Sequence, residues 1–464
     1  MFDPGIFKDR RKILREKVGS GLILLLGNDE SPMNYTANIY PFRQDGNFRY
    51  FFGLEKPGLI GLLDPEEGKD YLFGPEITLE DVVWMGPQPS LGEISRNVGV
   101  EDTGTLAQLS EKVKFALSQG RKIHFTPPYR GEQAFKLEAL LGIQARNAHK
   151  AVFPDLIKSI VELRSVKSGF EIAEIETALE TTSEAFAVMA KSVKPGLFEY
   201  ELSGKIEGLF ASRNRTLAYP IILSVHGETL HNNYHGNKLQ AGDLLIIDAG
   251  AESPLGYASD ITRTFPVSGR FSPAQKDIYH IVLKAQTESL SAIRPGVPYK
   301  DVHVLASKII ASGLKAMGLM QGNVDDAVNA GAHALFFPHG LGHMLGLDVH
   351  DMEGLGEDFV GYDSTVARSS QFGLSHLRLA KALQAGNVLT VEPGIYFIPA
   401  LIDQWKSGGK HSAFINYDKV DKFRKAGGTR IEDDVLVTET GSRVLGKPIP
   451  KTVEEVEASM ASPV

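Results

Sequence analysis

The sequence predicts a protein of the α/β (α+β) class with two domains. A chain of 464 residues, 42% of them hydrophobic, is longer than one compact core usually accommodates. Its first third alternates short apolar runs, such as GLILLLG and RKIHFTPPY, with turn residues, which is typical of a mixed sheet with interleaved helices. A helical pattern follows, and strand patterns then return. We therefore expect a smaller mixed N-terminal domain over residues 1–160 and a second domain over residues 161–464.

The second domain is predicted to open with helix. The stretch 156–193 has a helical pattern throughout and ends at Lys194, Pro195 and Gly196, because proline and glycine stop helices. Its start places the domain boundary between residues 153 and 168. Further helices are expected over 200–213, 272–293 and 299–317.

Strands are predicted around four acidic residues of this domain. LLIIDAG and YASDITRTFPV are two strand-like runs joined by the turn-rich AESPLG, so Asp248 and Asp260 should face each other on one hairpin. NVLTVEPGIYFI and TRIEDDVLVTETG are also strand-like and carry Glu392 and Glu432. Apolar strands thus deliver several carboxylates to positions flanked by buried-type residues.

Composition and charge narrow the class of function. Acidic residues outnumber basic ones, 57 to 49, which disfavours binding to nucleic acid or to an anionic membrane and favours a small-molecule partner or self-association. The absence of cysteine excludes disulfides, thiolate metal sites and thiol nucleophiles. The first residues lack a continuous apolar run of signal-peptide type, so we expect a cytoplasmic protein.

Five side chains together predict a metal centre. A buried carboxylate must be paired or bound to a metal, and four carboxylates with one imidazole suit two divalent cations of the Mn, Co or Zn kind. Each residue alone would more simply end a strand or cap a turn. As a set they predict a two-metal hydrolytic site with these ligands: Asp248, Asp260, His343, Glu392 and Glu432.

The segment FFPHGLGHMLGLDVHD, residues 336–351, is the most specific local pattern. It sets His339, His343 and His350 among glycines and apolar residues. Glycines permit close backbone approach, and apolar neighbours exclude water from the imidazoles. We therefore expect all three histidines at or near the metal centre.

These segments resemble one family of enzymes. DAGAESPLGYASDITRTFPV, HGLGHMLGLDVHD, VEPGIYF and TRIEDDVLVTETG are similar to the signature segments of the proline-specific metallopeptidases with the pita-bread fold, aminopeptidase P and prolidase. YPFRQDGNFRYFFGLEKP and VVWMGPQPS resemble the N-terminal domain of the same family, so the likeness covers nearly the whole chain. It implies a pita-bread catalytic domain behind a creatinase-like N-terminal domain, and hydrolysis of the bond before proline.

The resemblance also implies a role for each metal ligand. It places Asp248 on one metal, His343 and Glu392 on the other, and Asp260 and Glu432 on both, with Glu392 as the general base. One departure is visible: eleven residues separate the two aspartates, where the family usually has ten. A longer hairpin tip near residues 253–255 would absorb the extra residue, whereas a bulge in the second strand would misdirect Asp260.

Other residues match family positions that contact substrate. The resemblance places His231, His339 and His350 near the substrate, as candidates for proton donation, and gives Arg430 hydrogen bonds to metal-binding carboxylates or to substrate. Arg430 and Glu432 stand two apart on one strand, so both side chains can face the same side. The family further implies a homodimer or homotetramer and makes Mn²⁺ the first expectation among divalent metals.

Three functions remain open at this point. We favour an Xaa-Pro aminopeptidase acting on proline-containing peptides. The alternative is an Xaa-Pro dipeptidase, because Arg378 matches the arginine with which prolidases bind the free carboxylate of a dipeptide, and a guanidinium suits that group. A non-peptidase binding protein is a third reading, since the fold also hosts such proteins, although all five ligand positions hold competent side chains here.

Overall fold

The computed structural model describes residues 1–461, and its internal contacts divide the chain into two compact units. The first consists of Met1–Arg164 with Met352–Phe359, and the second of Ser165–Asp351 with the chain from Val360 onward. The segment 352–359 follows the rest of its unit by almost 190 positions, and the sequence patterns gave no sign of that assignment.

A five-stranded mixed sheet forms the centre of the first unit. Its strand order is β4-β3-β2-β1-β5, with β1 antiparallel to β2 and parallel to β5. Every residue of β1 is buried, as its unbroken apolar run predicts. The strands are β1 Leu22–Leu26, β2 Ile60–Asp64, β3 Lys69–Phe73, β4 Asp102–Gly104 and β5 Ile123–Phe125.

Several helices of the first unit begin with a side-chain cap. Thr78, Ser90 and Thr105 each begin a helix with a capping box, in which the hydroxyl accepts from the backbone N–H three residues on and the side chain of that residue accepts from the backbone N–H of the first. The helices are α1 Pro4–Val18, α2 Gly46–Phe52, α3 Leu79–Met85, α4 Leu91–Arg96, α5 Leu106–Ser118, α6 Gly131–Leu141 and α7 Pro154–Ser165, with a 3₁₀ helix at Ala145–Lys150.

The stretch 156–193, which we expected to be continuous helix, is broken into two helices at the start of the second unit. α7 ends at Ser165 and α8 begins at Gly169, because Ser168 and Glu171 form a capping box that starts a new helix. That Ser-x-x-Glu pattern was present in the sequence. The remaining helices are α8 Gly169–Ser192, α9 Glu199–Ser212, α10 Pro273–Ala292, α11 Tyr299–Ala316, α12 Val324–Asn329, α13 Glu357–Gly361, α14 Pro399–Ser407, α15 Tyr417–Val420 and α16 Val453–Ala461.

Short 3₁₀ helices at Ala332–Leu335, Glu353–Leu355 and Asp421–Phe423 complete the helical elements. Across residues 1–461, none of the helices has the length and apolar character needed to cross a membrane.

Three small antiparallel sheets of the second unit hold the predicted carboxylate ligands in their strands or directly beside them. Their orders are β6-β7-β8, β13-β12-β9 and β10-β11. The strands are β6 Ile222–Ser224, β7 Leu244–Ala249, β8 Ile261–Pro266, β9 Val388–Val391, β10 Gly394–Tyr396, β11 Gly428–Arg430, β12 Asp433–Val437 and β13 Ser442–Val444.

Strands β7 and β8 form the predicted hairpin, with a difference in detail. Asp248 pairs with Thr262 rather than with Asp260, so the two aspartates are diagonal neighbours on one face of the hairpin. The bridge between Glu252 and Ala258 keeps the register of the strands. The extra residue is therefore absorbed in the tip, residues 253–257, and no bulge separates the aspartates from their strands.

Glu392 and Glu432 lie where the strands are interrupted and not inside them. β9 pairs with β12 through Val391 and Asp433, and β10 pairs with β11 in the same register. Proline at position 393 has no N–H for a continuous ladder. The interruption therefore places the two glutamates opposite each other.

Candidate active site

Three side chains from distant parts of the second unit form a compact cluster. Ligand-type atoms of Asp260, His343 and Glu432 all lie within 4.8 Å of one another, and all three residues are buried. His343 Nε2 is 3.4 Å from Asp260 Oδ2 and 3.8 Å from Glu392 Oε1. Three of the predicted carboxylate ligands, Asp260, Glu392 and Glu432, thus lie around the imidazole of the fourth ligand, His343.

Asp248 joins the cluster through Tyr219 and Arg430. The Tyr219 hydroxyl donates to Asp248 Oδ1 at 2.6 Å and also contacts Asp260 Oδ1. Arg430 Nη2 donates to Asp248 Oδ2 at 2.5 Å. A phenol carries a single proton, so it cannot satisfy both carboxylates, and a further positive group or proton is required between them.

Glu432 is fixed by strand β8. Thr262 Oγ1 donates to Glu432 Oε2 at 2.6 Å, and the Glu432 N–H donates to the Thr262 carbonyl at 3.1 Å. The buried Arg263 donates through Nη1 to the Glu432 carbonyl oxygen at 2.6 Å. Both backbone groups and one carboxylate oxygen are therefore held before any ligand binds.

His343 presents a lone pair to the carboxylates. Its Nδ1 lies 3.0 Å from the Met344 carbonyl oxygen, which can only accept, so Nδ1 carries the proton and the lone pair of Nε2 points toward Asp260 and Glu392. The His343 N–H donates to Thr390 Oγ1 at 3.1 Å. Gly342 makes this approach possible, because a Cβ there would lie 2.0 Å from the Thr390 carbonyl oxygen.

Burial and mutual repulsion perturb the acids strongly. Burial raises the pKa of Asp260 to about 8, and the neighbouring Asp248 adds to the shift. Burial likewise raises the pKa of Glu392 to about 7 and that of Glu432 well above its usual range, with Asp260 contributing. Clustered buried carboxylates cannot all ionise without compensating positive charge. The donor set therefore fits divalent cations, which would supply that charge.

His339 lies beside the cluster in a network with Tyr396 and Arg430. Its Nδ1 is 2.7 Å from the Gly340 carbonyl oxygen, and its Nε2 is 2.8 Å from the Tyr396 hydroxyl. Arg430 Nη1 donates to the same hydroxyl at 3.0 Å, so Tyr396 donates to His339 Nε2. Burial and then Arg430 lower the pKa of His339 to about 3. His339 is accordingly a neutral imidazole in this structure.

The three remaining predicted residues lie near the same centre. The His350 and His343 rings are 4.3 Å apart in an edge-to-face arrangement. Burial, followed by the charges of Arg378 and Arg430, lowers the pKa of His231, and Arg378 also acts on His339. Arg378, His231 and His339 therefore share one electrostatic environment.

Several residues of the site were missed by the sequence reasoning. Thr262 stands two positions after Asp260 on an alternating strand, so its orientation could have been inferred. Tyr396 lies in the quoted VEPGIYF segment. Tyr219 precedes β6 and carries no local signal; it reaches the aspartates because β6 pairs with β7.

Comparison with known proteins identifies the class. Residues 173–439 match metallopeptidase family M24, and residues 7–124 match the aminopeptidase P N-terminal domain. The chain therefore belongs to metallopeptidase family M24.

Individual relatives are similar over almost the whole chain. A human Xaa-Pro dipeptidase is 35% identical over 95% of this chain and 88% of its own length. A probable Xaa-Pro aminopeptidase of Sordaria macrospora is 33% identical over 96% and 92%. The solved structure of Escherichia coli aminopeptidase P with the inhibitor Pro-Leu has a TM-score of 0.81 and 30% identity, covering 99% and 98% of the two chains. The pita-bread fold and the aminopeptidase P type of N-terminal domain are thereby confirmed.

Proposed function

We propose that this protein is a metal-dependent exopeptidase that hydrolyses the bond between an N-terminal residue and a following proline, an Xaa-Pro aminopeptidase. The observation that carries the proposal is the buried carboxylate and imidazole cluster, with His339, Arg430 and Tyr396 beside it. Relatives on both sides of the family support the same bond specificity.

Asp248, Asp260, His343, Glu392 and Glu432 would hold two divalent cations. The raised pKa values of Asp260 and Glu392 mark an excess of buried negative charge that such cations would neutralise. When bound, the cations supply polarisation of the scissile carbonyl and activation of the attacking water. Mn²⁺ is the proposed native metal, because carboxylate oxygens dominate the ligand set.

Glu392 is assigned as the general base. It lies at the edge of the cluster, with a side chain 17% exposed against 4% for His343, so it can meet both solvent and substrate. Its carboxylate would accept a proton from the attacking water and hold it at Oε1 or Oε2. Glu392 Oε2 is 3.9 Å from His339 Nδ1, which places the base beside the histidine that is assigned to substrate binding.

Proline imposes a particular demand on this chemistry. Its amide nitrogen has no N–H and its ring fixes φ, so the leaving nitrogen must be protonated from the enzyme. His231 and His350 are assigned as donor candidates and substrate contacts. His339 is assigned to substrate binding, because its Nδ1 proton faces the Gly340 carbonyl and its Nε2 accepts from Tyr396.

A second candidate function is restriction to Xaa-Pro dipeptides. Arg378 acts electrostatically on both His231 and His339, and its guanidinium could bind the free carboxylate that follows proline in a dipeptide. The same arginine in an open channel would instead tolerate a longer peptide.

The test compares an Xaa-Pro dipeptide with an Xaa-Pro-Yaa tripeptide, using protein loaded with Mn²⁺ and a Glu392→Ala control. Cleavage of the tripeptide before proline supports the aminopeptidase. Cleavage of the dipeptide alone, lost in Arg378→Ala and kept in the control Arg213→Ala at an exposed arginine, supports the dipeptidase. Absence of metal-dependent cleavage of either peptide would refute both assignments.

The assembly and location follow the same proposal. We assign the protein to the cytoplasm, supported by the lack of cysteine. We assign a homodimer or homotetramer, supported by α3, where four apolar side chains are exposed: Leu79, Val83, Trp84 and Met85. Exposed apolar surface of this kind is typical of an association site. Light scattering of the purified protein at several concentrations tests the assembly; a monomer throughout would refute it.

A further inference from the structure

A buried ion pair joins the start of the second unit to the histidine-rich segment. Lys167 Nζ lies 2.9 Å from Asp351 Oδ2, and each side chain is only 1% exposed. The two residues are 184 positions apart in sequence. A charge pair removed from water to this degree is costly to form, and the three residues that separate α7 from α8 include this lysine.

Asp351 closes the loop that carries His350. The Asp351 N–H donates to the Met344 carbonyl at 2.9 Å, and the Gly346 N–H donates to the Asp348 carbonyl at 3.2 Å. The Asp351 carboxylate lies against Gly346, where a Cβ would be 2.5 Å from Oδ2. The loop from Met344 to Asp351 is therefore folded around this carboxylate.

Lys167 is itself held by backbone. Its N–H donates to the Gly386 carbonyl at 2.8 Å, just before β9, and the Leu345 N–H donates to the Val388 carbonyl at 3.0 Å. The lysine and the loop are thus anchored to the same edge of the β9 region. Its ammonium group reaches the carboxylate from a fixed backbone and not from a flexible surface position.

We propose that Lys167 is a positioning residue for His350. By fixing the Asp351 carboxylate, it sets the backbone that immediately follows His350 and holds that ring 4.3 Å from the ring of His343. Functional side chains need such support, because small displacements of a reacting group cost large factors in rate. The inference rests on the proposed function, which assigns His350 to the substrate.

The kinetic test uses Lys167→Met, Asp351→Asn and the double variant Lys167→Met/Asp351→Asn, which lacks both charges of the buried ion pair. Each single variant should lower kcat for an Xaa-Pro peptide by at least tenfold with metal content unchanged. In the double variant the unfolding midpoint should recover toward wild type, since no unpaired buried charge remains, while kcat stays low. Recovery of kcat together with the midpoint would reduce the pair to a stability role and overturn the proposal.

Action through His350 is tested by a double-mutant cycle. In a His350→Ala background, Lys167→Met should cause no further loss of kcat, because the residue that it positions is gone. An undiminished tenfold loss in that background would refute the proposal. Should Lys167→Met fail to fold, the charge-free double variant is combined with His350→Ala and gives the same comparison.

A spectroscopic readout separates this inference from the proposed function. In zinc-loaded protein labelled with [¹³Cε1]histidine, the His350 signal, assigned with His350→Ala, should shift in Lys167→Met, while the signal of the exposed His149 in the first unit stays in place. An unchanged His350 signal would overturn the positioning role. Wild-type protein without Xaa-Pro cleavage would refute the proposed function alone, because the signal is measured without turnover.

Discussion

Arg263 is a buried cation whose removal should strongly destabilise the second unit. It is 1% exposed, and Nη2 donates to Asp433 Oδ1 at 2.6 Å. The same guanidinium donates to backbone carbonyls at Glu432, Ile449 and Pro450. Burial alone would raise the pKa of Asp433, but Arg263 and Lys451 hold it well below its usual range. The proposed perturbation is Arg263→Met, which keeps an apolar stem and removes every donor.

The size of the effect follows from the carboxylate and the carbonyl oxygens that lose the guanidinium as a partner. Removing one partner of a buried ion pair costs about 3–5 kcal/mol. Asp433 keeps hydrogen bonds from Gln286 and Lys451. The loss of its ion pair with Arg263 should therefore cost about 3 kcal/mol, at the lower end of that range. Carbonyl oxygens that lose a donor cost about 1 kcal/mol each, and the methionine stem recovers part of this. We expect a loss of about 4 kcal/mol in the free energy of unfolding.

Urea unfolding followed by tryptophan fluorescence measures this loss in the second unit, which contains Arg263. The chain has two tryptophans: Trp405 is 4% exposed and Trp84 is 77% exposed, so the change in emission on unfolding reports mainly Trp405 in the second unit. With an m-value of about 3 kcal/mol/M, the midpoint should fall by about 1.3 M. The midpoint of Arg263→Lys should fall less, because lysine keeps the positive charge and loses only the branched set of guanidinium donors. A midpoint shift below about 0.3 M in Arg263→Met would refute the reasoning.

Three further predictions concern the site and its surroundings. Glu432→Gln should reduce the affinity for divalent metal by at least about 100-fold, measured by calorimetry on metal-free protein, and an affinity equal to wild type would remove Glu432 from the ligand set. Arg430→Lys keeps the charge but cannot contact Asp248, Tyr396 and Thr262 together, so kcat/KM for an Xaa-Pro peptide should fall about 10- to 100-fold; a change below twofold would contradict its assigned role. Burial lowers the pKa of the His333 imidazole to about 4, below its value of about 6.5 in the unfolded chain. As the pH falls, the unfolded chain therefore binds the extra proton first. The contribution of His333 to the free energy of unfolding should be complete above about pH 6.5 and decrease by about 3 kcal/mol as the pH falls to 4. His333→Leu should lose that part of the pH dependence, measured by urea midpoints between pH 4 and 7, whereas the exposed His149→Leu should keep it; an unchanged slope in His333→Leu would refute the assignment.

Local patterns predicted the second unit's secondary structure well where one signal dominated. The helices expected over 272–293 and 299–317 are found at Pro273–Ala292 and Tyr299–Ala316, because both have apolar periodicity and a capping box begins the first. The break between α7 and α8 was missed, since helical propensity on both sides concealed the capping box of Ser168. The strand interruption at Glu392 was also missed, although Pro393 signals it.

The sequence by itself determined which side chains could form the centre. Carboxylates at the ends of apolar strands and histidines among glycines have few stable alternatives to a buried ligand set, and that constraint is chemical and local. Tertiary structure alone decided which of them meet. Tyr219 shares Asp248 and Asp260, Lys167 reaches Asp351, and Arg263 holds Glu432 across spans of 29 to 184 residues. Such contacts depend on strand register and on the packing of remote segments, which a local pattern does not contain.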